Sequence, residues 1–110
     1  MINEHYVGKS AQGFYFKGIE YHVKSWKGLL LKLSSLLYNA HTDEFKKISS
    51  VRGKKKPYFS LNADELDIPE KIEGTVYFAE VHLTADQIVR ICFRLVETFE
   101  YSVNDFKVKI

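Results

Sequence analysis

Trp26, Leu29, Leu30, Leu33, Leu36, Leu37 and Ala40 recur at spacings of three and four. That period places them on one stripe of an α-helix, and a stripe this wide has to be buried against another element. Ser25 stands just before it, where a hydroxyl can accept from the free amides of the first turn. Gly28, in that turn, costs about 1 kcal/mol relative to alanine and permits close approach of a neighbouring backbone.

The rest of the chain supplies what the stripe packs against. Phe14-Tyr15-Phe16 and Ile19 to Val23 flank Lys17-Gly18, the pattern of a β-hairpin with a two-residue turn. Thr42, followed by Asp43 and Glu44, opens a second and shorter helix, with Phe45 and Ile48 facing inward. Tyr58 to Leu61 reads as a short strand, and Asn62 with Glu65 as the cap of a single turn that Pro69 stops. Thr75 to Leu83 reads as a strand with Tyr77, Ala79, Val81 and Leu83 on one face. Its other face, Val76, Phe78, Glu80 and His82, turns from apolar to polar. Thr84-Ala85-Asp86-Gln87 is a capping box. The helix it opens carries Ile88, Ile91, Cys92, Leu95, Val96 and Phe99 inward, with Asp86, Arg90, Arg94 and Glu97 off that face. Phe106, Val108 and Ile110 alternate with lysines, as in a strand with one face buried.

The order is therefore β-β-α-(α)-β-β-α-β. It predicts an α+β fold, a two-layer sandwich with a mainly antiparallel sheet of three to five strands and two main helices on one face. At 110 residues there is room for one domain, 14–110, preceded by a polar, flexible lead-in over 1–13. The chain ends on a core strand, as the C-terminal module of a larger protein would, although a free-standing protein has the same form.

Composition narrows the function classes. Hydrophobic residues make up 45% and charged residues 27%, an ordinary globular balance. One cysteine, Cys92, excludes an intramolecular disulfide and argues against a cysteine-based zinc site. On the apolar face of its helix it is expected to pack as a small hydrophobe. His5, His22 and His41 have no metal-ligand spacing, so no metal and no cofactor is expected. No apolar run approaches the length of a membrane span, roughly 20 residues. The segment before Phe14 lacks a signal-peptide core. A cytoplasmic protein without membrane contact is the expectation.

The net charge of +2 points to no partner, but its distribution is uneven. Between Asp43 and Lys56 six bases face two acids, and between Asp64 and Glu73 five acids face one lysine. Lys46, Lys47, Arg52, Lys54, Lys55 and Lys56, with Tyr58 as a stacking residue, form the combination that tracks a phosphate backbone and stacks a base. The bland reading is a solvated loop with Tyr58 in the core. Glu80 and His82 share a strand face next to the Thr84 helix start, which makes a candidate ligand site of Glu80, His82 and Thr84. No nucleophile motif accompanies them, and no catalytic residue is assigned. The alternative is a surface pair at a strand end. Trp26, in the first turn of the leucine-striped helix, is expected to close the core.

Val23-Lys24-Ser25-Trp26, Lys56-Pro57-Tyr58-Phe59-Ser60, Tyr77-Phe78-Ala79-Glu80 leading into Leu83-Thr84-Ala85, and Phe106 near the end resemble a small accessory domain of bacterial proteins. That domain is found at C-terminal ends, including those of restriction- and phage-defence-associated proteins. The resemblance spans roughly 14–110 and implies context rather than chemistry, since the family has no assigned activity. Where the family pattern is closer to Glu-Thr-Asn-Leu-Ser-Ala, this chain has Glu80-Val81-His82-Leu83-Thr84-Ala85, so no catalytic role carries over. It favours a non-catalytic module that contacts nucleic acid through the basic loop. A protein–protein or self-association module, by itself or within a larger parent chain, is the alternative. A small enzyme or ligand-binding domain around Glu80 and His82 comes third.

Overall fold

Helix α1, Trp26–Ala40, begins where Ser25 accepts a hydrogen bond from the Gly28 amide at 3.0 Å. Its stripe does what the spacing demands: Leu29, Leu30, Leu33 and Leu37 are completely buried. Deleting one such side chain to alanine costs roughly 2–5 kcal/mol, because transfer and cavity costs add. The computed structural model describes Tyr6 and residues 8–110. Within them α1 packs against α2, Ala85–Thr98, which starts on the full Thr84–Gln87 capping box.

Two antiparallel sheets of three strands flank this helix pair, where the sequence led us to expect a single sheet. In the first, β1 (Gly13–Phe16) lies between β2 (Ile19–His22) and β6 (Phe106–Lys109). In the Lys17-Gly18 turn φ is 54° and 80°, positive at both residues. A turn of that hand matches the twist of the strands it joins. Gly13 is required: a Cβ there would run into the Tyr21 carbonyl oxygen of the paired strand. Phe14 and Phe16 point inward, and Phe14 sits opposite both Tyr21 and Val108. Ile110, expected on the buried face, is 48% exposed just past the end of β6.

The second sheet orders β3 (Phe59–Ser60), β5 (Phe78–Glu80) and β4 (Pro69–Lys71) with β5 central. Strand β4 went unrecognised in the sequence, because Pro69 read only as a stop. Proline is tolerated as the first residue of an edge strand, and β4 is one. The long strand expected over 75–83 is regular only over Phe78–Glu80. The second helix is a run of 3-10 turns, Thr42–Ser50, which buries Phe45 and Ile48 as expected.

Side chains from both sheets and both helices share one core, with Phe14, Phe45, Phe59 and Phe106 among its aromatics. The Cα radius of gyration is 13.0 Å. Of the lead-in expected over 1–13, residues 1–5 and 7 lie outside those described. Of the described part, Tyr6 and Ala11 are buried while Gly8, Lys9, Ser10 and Gln12 are exposed, and Tyr6 meets the Trp26 ring edge-on at 5.2 Å. Trp26 is half-buried at the rim of the core and donates from Nε1 to the Lys9 carbonyl at 2.9 Å.

Candidate nucleic-acid interface

Arg52 to Tyr58 close into a tight loop. The Gly53 amide donates to the Lys56 carbonyl at 2.9 Å, and Arg52 bridges to Pro57. This folds Lys54 and Lys55 to the exposed tip. Tyr58 leaves the loop half-buried against the core, and its carbonyl accepts from the Glu80 amide at 2.7 Å.

The six expected cations do not share one hollow. Lys56 is bound by both carboxylate oxygens of Asp67, at 2.9 and 2.7 Å. That hydrogen bond holds the Lys56 ammonium above its ordinary pKa and Asp67 below the usual carboxylate range. Lys47 bonds Glu44 at 3.0 Å and Glu100 at 3.4 Å, and the Glu44 contact raises its pKa in the same way. Thus the basic and acidic blocks of the sequence meet in part, through Lys56 and Asp67. Lys46 is exposed, but neither it nor Lys47 lines the hollow described next.

That hollow, about 350 Å³, lies between the loop and α2. Arg52, Lys54 and Tyr58 form one wall, and Arg90, Arg94 and Gln87 the other. No carboxylate is among the described residues that line it. Arg94 ties the walls together by donating from Nη1 to the Arg52 carbonyl at 3.1 Å. The reach of Arg90 and Arg94 to the loop was not anticipated. Their i, i+4 spacing on the polar side of α2 was the signal, since it stacks two guanidiniums on one helix face.

Glu80 and His82 line a second hollow of about 320 Å³ together with Lys55, Lys56 and Asp67, and Thr84 is not among its described lining residues. Glu80 is only 5% exposed, and its oxygens accept from the backbone amides of Asp67, Ile68 and His82 at 2.7, 3.0 and 3.0 Å. It is a buried staple rather than a surface pair, and it meets the main chain of His82. Thr84 is occupied by the capping box, with its Oγ1 accepting from the Gln87 amide at 3.1 Å. Among the described residues no three His, Cys, Asp or Glu side chains gather as a metal-ligand set. Cys92 is wholly buried, and burial pushes its thiol pKa up. No helix among the described residues is long and apolar enough to cross a membrane.

Compared with family models, with curated proteins and with solved structures, the chain finds no match. The resemblance to an accessory domain therefore stands on the motif residues alone. Fold and site together define an α+β domain with a cationic cleft between its last helix and a basic loop.

Proposed function

We propose that this domain is a non-catalytic binding module that contacts the phosphate backbone of nucleic acid through the cleft formed by Arg52, Lys54, Arg90 and Arg94. The observation that carries this reading is the absence of any carboxylate among the described residues lining that cationic hollow. Lys56 of the loop is paired with Asp67, whereas these four cations share a cleft in which no described acid competes. Guanidiniums bind phosphate in a bidentate fashion, and two of the three here are held on a helix rather than a loop. Phosphate contacts carry no sequence information, so binding is weakly specific and strongly salt-dependent.

A bacterial restriction- or defence-type setting belongs to the proposal on the motif resemblance alone. A second reading, self-association through a sheet edge, draws on β2, an edge strand whose Ile19 is 55% exposed. Unpaired strand edges are ready templates for pairing with another chain.

The test is equilibrium binding of labelled single- and double-stranded DNA and RNA at low salt. The unmodified domain is compared with the Arg52→Gln/Arg90→Gln double variant. Binding by the parent and its loss in the variant support the cleft. Absence of binding to all four ligands, with a concentration-dependent dimer in sedimentation, favours the second reading.

A further inference from the structure

Arg90 and Arg94 line two hollows. One is the cationic cleft; the other is a groove of about 650 Å³ between α2 and β6. The groove is floored by Phe93, Phe106 and Val103 and bounded by Asn104 and Lys107. Phe93 is half-buried and meets Phe106 edge-on, with ring centroids 5.2 Å apart and planes at 89°. Val103 is 42% exposed. Aromatic and aliphatic surface is thus open beside three cations, and the described lining again includes no carboxylate.

The charge pattern selects the occupant. An apolar floor with a rim whose charges are all cationic suits a flat, apolar group carried on an anionic chain. The phosphate cleft and this groove share their two arginines, which matches a nucleotide, whose base and phosphate are joined through one sugar. A duplex cannot use the groove, because its bases are paired and stacked on each other. A strand with free bases can, since each base offers a π-face to a phenyl ring or a guanidinium.

We infer that the α2–β6 groove takes an unstacked base of a single-stranded nucleic acid whose phosphates lie along Arg90 and Arg94. This rests on the phosphate-binding reading of the neighbouring cleft. Phe93 supplies the stacking surface, and Asn104 places a carboxamide, both donor and acceptor, within the same groove.

The test uses three labelled ligands of equal length: oligo-dT, the same strand made abasic, and a duplex. The expected result is oligo-dT bound about tenfold or more tightly than the abasic strand. Phe93→Leu keeps an apolar side chain without the ring, and Val103→Asp places a charge at an exposed position. Phe93→Leu is expected to bring oligo-dT down to the abasic affinity while leaving abasic binding near that of the parent, whereas the carboxylate of Val103→Asp, beside Arg90 and Arg94, is expected to weaken both single strands. Because Phe93 touches the core residue Phe106, the comparison of ligands on the unmodified protein decides the matter if Phe93→Leu unfolds.

Equal affinity for oligo-dT and the abasic strand, or a duplex bound as tightly as oligo-dT, overturns the inference and leaves the phosphate cleft standing. Binding of none of the three at low salt overturns both. A dimer that Val103→Asp dissolves, with no preference for oligo-dT, assigns the groove to a second copy of the chain and also overturns it.

Discussion

Arg94 of α2 donates to the backbone carbonyl of Arg52 at 3.1 Å, so the last helix holds the start of the basic loop in place. Residues 42 positions apart in sequence thereby set the width of one cleft. Arg94→Gln should cost little stability, roughly 1 kcal/mol, because the bond is exposed to water. Loop amides, the Gly53 N–H above all, should exchange with solvent faster than in the parent. Hydrogen-exchange rates check this, and unchanged Gly53 protection would show that the loop is held without Arg94.

Lys54 and Lys56 are close neighbours in sequence but differ in what they face. Lys54 lines the cleft, whereas Lys56 is taken up by Asp67. Lys54→Ala should therefore weaken oligonucleotide binding more than Lys56→Ala does. Anisotropy titrations of the two variants side by side measure it, and equal losses would mean that net loop charge, rather than the cleft, governs binding.

Glu80 joins three backbone amides, two just before β4 and one just past the end of β5. Glu80→Ala leaves three part-buried N–H groups without their acceptor and should destabilise the domain by about 2 kcal/mol. Glu80→Gln should cost less, since its amide oxygen still accepts. Urea unfolding gives both values, and a loss in Glu80→Ala no greater than a surface substitution would refute the staple.

The contrast between Glu80 and Phe14 shows what was legible from sequence and what was not. Periodicity marks faces, so the α1 stripe, the hairpin and the capping box were readable, and with them the α+β class. Glu80 sits at the polar end of a strand pattern, and that pattern says solvent. Only the turn that folds back over it, bringing Asp67 and Ile68 to its oxygens, makes it buried. The division into two sheets was hidden for a similar reason, because β4 is short and begins with proline. At the cleft, Arg52, Lys54 and Tyr58 could be read from a continuous segment. Arg90 and Arg94 could not, because nothing local says that α2 passes beside that loop.

Cys92 gives a pH prediction with a definite sign. Burial raises its native pKa well above that of a free thiol. In the unfolded chain the thiol titrates at about 8.5. Above that pH the unfolded chain loses a proton that the native state keeps, so the unfolded state binds fewer protons and stability falls as pH rises. The contribution is about 1.4 kcal/mol per pH unit above ~8.5 and absent below it. Urea unfolding of the parent and Cys92→Ala at pH ~7 and ~9.5 isolates this effect from other titrating groups. The stability advantage of the parent should shrink at the higher pH; a constant difference would contradict it. In the folded protein the thiol should also react with disulfide reagents only as fast as the domain unfolds.

The salt dependence of oligonucleotide binding tests the cationic cleft most directly, with the unmodified domain and Arg90→Gln measured on the same single strand. Each phosphate neutralised contributes about −0.7 to the slope of log affinity against log salt. The cleft predicts a steep linear decline for the parent, and a weaker affinity with a slope shallower by about 0.7 for Arg90→Gln. Affinity that ignores salt, or a variant whose slope and affinity match the parent, would contradict it.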